Sequence, residues 1–222
     1  MSMNLASHAD EAIISIIDDE ESVRDALLDQ LESLDWKART YESAAAFMKS
    51  GDAGSAGCIL LDLQMPGMNG LAMQEELTLS GSHKPIIFMT GHASISTSVH
   101  AMRAGAVDYL VKPFDSESLV LAIERAVAQD CDKRRHTHDL NQIVTCAAFL
   151  TPRETEVMDF VSRGLMNKQI AFEMSISEIM VKLHRGRMMK KMKSRSVPDI
   201  VRKFDALVAA GVLRSESAGE MA

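Results

Sequence analysis

The stretch Cys58-Ile59-Leu60-Leu61-Asp62-Leu63-Gln64-Met65-Pro66-Gly67 decides the fold. An apolar run ends on one carboxylate, and a Pro-Gly turn follows. A short, uninterrupted apolar run of this kind predicts a strand buried on both faces, as in a parallel sheet. Asp62 then stands at the carboxyl end of a central strand, where open α/β sheets bind their ligands. Asp is also common in turns after strands, so alone it reads as a turn or cap residue. Its partners elsewhere in the chain change that.

Upstream, Ala12-Ile13-Ile14-Ser15-Ile16-Ile17 predicts a first buried strand that runs into Asp18-Asp19-Glu20-Glu21. Val23, Leu27, Leu28, Leu31 and Leu34 follow at helical spacing. Residues 37–41 suit a strand and 43–49 an Ala-rich helix, and the Gly/Ser/Asp run 51–57 suits a loop. Downstream come a helix near 71–79, a strand at 85–90, a helix at 95–104 ended by Gly105, and a strand at 107–111 that leads into Lys112-Pro113. Ser116 is the expected cap of a fifth helix carrying Leu119, Val120, Ile123 and Val127. This alternation predicts an α/β domain with a doubly wound parallel sheet, a flavodoxin-like (βα)5 arrangement. In that order the carboxyl ends of strands one, three, four and five ring one crevice.

The residues at those ends are Asp18, Asp19, Asp62, Thr90 and Lys112. Three carboxylates make a hard, oxygen-rich site suited to Mg²⁺ (or Mn²⁺), which keeps several waters and accepts a phosphate oxygen. Lys112 and the Thr90 hydroxyl can meet further phosphate oxygens. Asp62 is left as an oxygen nucleophile able to form an aspartyl phosphate.

Charge divides the chain. Residues 1–149 carry 11 Lys and Arg against 22 Asp and Glu, whereas residues 150–214 carry 13 against 7, a net of +6. An acidic module joined to a basic one suggests different partners, with nucleic acid for the second. No run approaches the roughly 18 apolar residues of a membrane span. The polar start, Met1 to His8, lacks the pattern of a secretory signal, so a cytoplasmic protein with no membrane partner is expected. Cys58, Cys131 and Cys146 show neither disulfide nor zinc spacing. Between the modules, residues 129–148 include a charge-dense run that either extends the fifth helix or forms a mobile connector. Most such runs are solvated surface. His136 and His138 near Cys131 match no standard metal site.

In the basic module Thr151, Pro152 and Glu154 form a capping-box signature that opens a helix ending near Gly164. A short helix at 167–174, a tight turn at Ser175-Ile176 and a long helix capped by Ser177 suggest helix-turn-helix DNA binding. Ser196 caps a fourth helix, with Pro198 in its first turn. At 100° per residue, Ser177, Val181, His184 and Met188 share the inward face of the long helix. Ile179, Lys182, Leu183, Gly186 and Lys190 share the outward face, flanked by Arg185 and Arg187, with Lys191 and Lys193 near its end. A basic face with a glycine that allows close approach suits the major groove, and flanking cations suit phosphates. Lys168, on the preceding helix, is placed for phosphate.

Asp18-Asp19, Asp62-Leu63-Gln64-Met65-Pro66-Gly67-Met68-Asn69-Gly70, Thr90-Gly91-His92 and Lys112-Pro113-Phe114 resemble the receiver domain of two-component response regulators. The resemblance implies that Asp62 accepts phosphate from a sensor histidine kinase. It also implies that Asp19, Asp62 and the Gln64 carbonyl ligate Mg²⁺, with Asp18 acting through water. Lys112-Pro113 is expected to be cis. Tyr109 falls where the family has an aromatic that swings inward as Thr90 engages the phosphoryl group. Gln64 and His92 fall where aspartyl-phosphate lifetime is tuned. Leu150-Thr151-Pro152-Arg153-Glu154, Asn167-Lys168-Gln169-Ile170-Ala171 and Val181-Lys182-Leu183-His184 resemble the smaller, all-α, four-helix LuxR-type output domain of the FixJ/NarL class. Met180 departs from that pattern, which has a hydroxyl residue able to touch phosphate.

The expectation is a receiver at 11–128, a connector at 129–148 and a DNA-binding domain at 149–212, in a regulator that is not an enzyme. It homodimerises on phosphorylation, binds promoter DNA and engages RNA polymerase as an activator. Two rivals stand beside it. One is a phosphotransfer or interaction protein whose basic half binds protein. The other is a haloacid-dehalogenase-like phosphatase, against which Gln64 weighs because that chemistry wants an acid two residues after the nucleophile.

Overall fold

The computed structural model describes residues 12–92 and 94–214. Residue 11, the polar amino-terminal stretch and the carboxyl-terminal tail lie outside the described residues. The chain divides into two compact units between Arg134 and Arg135.

In the first unit strands and helices alternate: β1 (Ile13–Ile17), α1 (Glu21–Glu32), β2 (Lys37–Tyr41), α2 (Ala44–Ser50), β3 (Gly57–Asp62), α3 (Gly70–Leu79), β4 (Ile86–Thr90), α4 (Ile95–Arg103), β5 (Asp108–Val111) and α5 (Ser116–Ala147). The sheet is parallel with order β2-β1-β3-β4-β5, so β3 is central, as its apolar run requires. Every residue of β3 is buried. Its side chains alternate between two cores. Cys58 and Leu60 pack with Leu27 and Leu31 of α1 and Leu119 and Ile123 of α5. Ile59 and Leu61 pack with Phe47 of α2, Met73 and Leu77 of α3, and Ala101 of α4. With both faces covered, truncating Leu60 to Ala has an expected cost of about 2–5 kcal/mol. The polar sequence of β2 fits its edge position, where most of its residues are not buried.

Two expectations change. The cap of α5 is Asp115, whose Oδ1 accepts from Ser118 N at 2.7 Å. A carboxylate makes a charge-assisted bond to the open helix end, which the Ser116 hydroxyl cannot match. Of the two forms expected for the connector, the extension of the fifth helix is the one present, with α5 continuing to Ala147. Asp130 is not solvated surface. It is 5% exposed, and its Oδ2 accepts from Gly57 N at 2.9 Å and from Arg134 Nε at 2.7 Å.

The second unit holds α6 (Pro152–Ser162), α7 (Asn167–Glu173), α8 (Glu178–Lys191) and α9 (Val197–Ala209). Val157, Met158, Val161, Ile170, Val181, Met188, Ile200, Phe204 and Leu207 form its core. Ile143, Val144, Cys146 and Ala147, from the last turns of α5, pack against that core.

Candidate functional site

At the carboxyl rim of the sheet, β1 delivers Asp18, β3 Asp62, β4 Thr90 and β5 Lys112. The Lys112 ammonium lies 2.6 Å from Asp18 Oδ2 and 2.7 Å from Asp62 Oδ1. Both carboxylates are buried. Their other oxygens are held locally: Asp18 Oδ1 accepts from Glu20 N at 2.9 Å, and Asp62 Oδ2 accepts from Gln64 N at 2.7 Å. Gly70 lets the loop after β3 fold back over the rim, since a Cβ there would come within 2.8 Å of the Asp62 carbonyl oxygen. Lys112-Pro113 is cis.

Burial pushes the Asp62 carboxyl above its ordinary value; the Lys112 ammonium opposes this and the neighbouring Asp18 adds to it. For Lys112, burial favours the neutral form, but bonds to Asp18 and Asp62 outweigh it and the amine is held above its usual range. The site is therefore a buried carboxylate beside a cation that stays charged.

Asp19 adjoins this pair but is exposed. Among the described residues no group of three or more His, Cys, Asp or Glu side chains is gathered closely enough to hold a metal ion, so the expected convergence of three carboxylates is met by two. Lys112 lies between Asp18 and Asp62 and neutralises them. The donor chemistry still fits Mg²⁺, with Asp18, Asp19, Asp62 and the Gln64 carbonyl as hard oxygens. Gathering near Cys131, His136 and His138 is likewise absent among the described residues.

Thr90 is fully buried, and its hydroxyl is engaged with the His92 backbone, accepting from N at 3.2 Å and lying 3.3 Å from O. His92 and Gln64 are exposed. The Tyr109 ring is half-buried against the core that contains Ala101 and Ala106, and its hydroxyl is buried with no hydrogen-bond partner among the described residues.

In the second unit, Ser177 Oγ accepts from Met180 N at 3.3 Å and starts α8. The turn before it places Ser175 at φ 52°. Val181 and Met188 are buried, His184 is partly buried, and Ile179, Lys182, Leu183, Gly186, Arg187 and Lys190 are exposed on the other side. Lys168 is exposed on α7. Two cations depart from expectation. Arg185 donates to Asn167 Oδ1 at 2.7 Å and ties α8 to α7 rather than facing outward. Lys191 donates at 2.6 Å to Glu154, a buried acid that also accepts from Thr151 N at 2.9 Å in the capping box. Burial favours protonation of Glu154, but the bonds from Lys191 and Thr151 win and hold its carboxyl below the usual range. Both pairings are long-range, 18 and 37 residues apart, and no local spacing signals them.

A doubly wound sheet with a buried Asp–Lys pair at its carboxyl rim, joined to a basic helix-turn-helix unit, defines a phosphoacceptor module coupled to DNA-binding output. Residues 14–124 match the response regulator receiver domain family, and residues 148–204 match the luxR family of bacterial regulatory proteins. Response regulator protein TmoT of Ectopseudomonas mendocina is 39% identical over 197 residues, covering 89% of this chain and 90% of that one. Transcriptional regulatory protein FixJ of Azorhizobium caulinodans is 36% identical over 205 residues, covering 92% and 96%. Among solved structures, response regulator StyR matches with a TM-score of 0.81 at 37% identity, over 88% of this chain and 98% of that one. Full-length FixJ from B. japonicum matches with a TM-score of 0.55 at 34% identity, over 92% and 99%. The chain belongs to the FixJ-type response regulators, transcriptional regulators with a receiver domain and a LuxR-type helix-turn-helix output domain, rather than to a family of enzymes. Among the described residues no helix is long and apolar enough to cross a membrane.

Proposed function

We propose that Asp62 is the phosphoacceptor of a cytoplasmic regulator that is activated by a sensor histidine kinase and binds promoter DNA as a homodimer. The observation that carries this is the Lys112 ammonium shared between the buried carboxylates of Asp18 and Asp62. An Asp62 oxygen attacks the phosphorus of a phosphohistidine, the P–N bond breaks, and the imidazole leaves with the bonding pair. Lys112 turns from Asp62 to a phosphoryl oxygen, and the Thr90 hydroxyl leaves the His92 backbone for another. Asp19, Asp62 and the Gln64 carbonyl would hold Mg²⁺ (or Mn²⁺), with Asp18 acting through water, and the ion would supply charge neutralisation for the phosphoryl oxygens. Gln64 and His92, exposed beside the rim, set water's access to the aspartyl phosphate. Tyr109, whose ring already packs against the core, closes behind Thr90 in the activated state.

The domain limits proposed are 11–128 and 149–212, with the connector 129–148 between them, helical to Ala147. Dimerisation falls to the α4–β5–α5 face. There Ile95, 86% exposed, lies at i, i+4 and i+7 spacing with exposed Val99 and Met102, beside exposed Val111. Population shifts toward the dimer once phosphate is bound. Paired output domains then reach two half-sites, where Lys182 meets a base edge, Lys168, Arg187 and Lys190 meet phosphates, and RNA polymerase is engaged for activation.

Two experiments test this. Incubated with a small phosphodonor and Mg²⁺, the parent gains one phosphate and dimerises, whereas Asp62→Asn does neither; labelling of the variant to the parent's extent refutes the assignment. Lys182→Ala relaxes sequence discrimination, while Lys168→Ala weakens all sites evenly and lowers the salt slope by about one. Equal losses for both variants on specific and random duplexes refute the division of roles.

A further inference from the structure

The outward face of α8 is not uniformly basic. Ile179, 77% exposed, and Leu183, one turn on, form an apolar row at its amino-terminal half. The core is already served by Val181 and Met188 on the opposite side, so this row is spare to folding. Single exposed apolar residues are ordinary. These two, however, share a face with Gly186 and with exposed Lys182, Arg187 and Lys190. Gly186 is itself informative. A Cβ built there meets nothing within 4 Å, so the protein has room for alanine, which is also the better helix former. No neighbour among the described residues requires a bare backbone there. An apolar protein partner does not suit a face flanked by cations within residues 150–214, whose net charge is +6. Duplex DNA does, because phosphates meet the cations while the thymine C5-methyl is the apolar group on the major-groove floor.

We infer that Ile179 and Leu183 read thymine methyl groups and that Gly186 lets the groove floor approach the α8 backbone. This rests on the assignment of α8 to DNA and names the base chemistry it recognises. Recognition helices place their amino-terminal residues against base edges, which is where the apolar row lies. The operator half-site then contains thymines at positions fixed by one turn of helix.

The test begins with the phosphorylated full chain and duplexes selected from a random pool. Each thymine of the selected half-site is replaced singly by deoxyuridine, which removes only the methyl. Loss of one buried methyl weakens binding about three- to five-fold. The expected result is such a loss at one or two thymines per half-site, and Ile179→Ala or Leu183→Ala becomes indifferent to that replacement. Wild-type binding unchanged by every replacement overturns the inference while leaving the DNA-binding assignment intact. Failure to select any sequence removes that assignment and the inference with it. Gly186→Ala raises the thermal midpoint of the full chain's helical signal by a few degrees and weakens the selected site at least ten-fold. Unchanged affinity, or a fall in both quantities, overturns the role of Gly186.

Discussion

Two lysines lie at opposite rims of the same sheet, and their surroundings set them apart. Lys112, at the carboxyl rim, bonds two buried carboxylates and is held more basic than usual. Lys84 precedes β4 at the amino rim and is 6% exposed. Its ammonium meets neutral oxygens, the Asp52 carbonyl at 3.0 Å and Ser55 Oγ at 2.7 Å, under the Phe47 ring. Burial lowers its pKa to about 8, with the nearby Asp130 and Asp52 charges resisting. Asp130 and Arg134 close the same rim through Gly57 N and the Ser55 carbonyl. One rim gathers two buried carboxylates around one ammonium. The other fastens the loop before β3 through Gly57 N and the carbonyls of Asp52 and Ser55.

The largest expected contrast is in removal of each ammonium. Lys112→Met leaves two buried carboxylates facing one another and should cost about 2–4 kcal/mol at pH 7. Lys84→Met loses two bonds to neutral oxygens but also ends the burial of a charge, so its net effect should stay within about 1 kcal/mol. Trp36 is the single tryptophan and packs on the receiver core, so urea unfolding followed by its fluorescence reports this unit within the whole chain. Equal losses for the two variants break the comparison.

A pH series sharpens it. For Lys84 the folded value, about 8, lies below the unfolded 10.5. The cost of its buried charge is fully present below pH 8 and is relieved as pH rises above it. Lys112 has the opposite sign: its contribution is complete up to 10.5 and is lost above its raised folded value. Between pH 8 and 9 stability should rise by up to about 1 kcal/mol, and Lys84→Met should abolish the rise. Beyond pH 9 the Cys58 thiol, pushed up to about 12 by burial, begins to act against it. A flat profile in that window contradicts the placement of Lys84.

The smallest effect concerns Asp62. Its carboxyl holds a proton more tightly when folded, so its charge opposes folding at neutral pH. Asp62→Asn relieves that charge but loses the Lys112 bond. The net gain in stability should be under about 1 kcal/mol, read by the same fluorescence while phosphate uptake is abolished. A clear loss of stability instead places Asp62 on the fastening side of the comparison.

Much of this was legible in advance. The apolar run that ends at Asp62, and its counterparts ending at Asp18, Thr90 and Lys112, locate the reactive rim, because chain order in a parallel sheet places every strand end on the same side. The outward face of α8 follows from helical period alone. Lys84 was not legible: a lysine before a strand looks like any other, and its partners lie about 30 residues earlier. Asp130 sits in a charged run that reads as solvated, and Arg185 and Lys191 look like phosphate contacts until Asn167 and Glu154 are seen to hold them.

Local pattern by itself determined the alternation of strands and helices, the two modules and the strand-end carboxylates, because periodicity and strand direction act over a few residues. Tertiary structure alone decided which charges are spent internally and which face outward. A charge is committed when folding brings an oppositely charged or polar atom within about 3 Å of it, and Lys112 and Asp18 meet in that way from 94 residues apart.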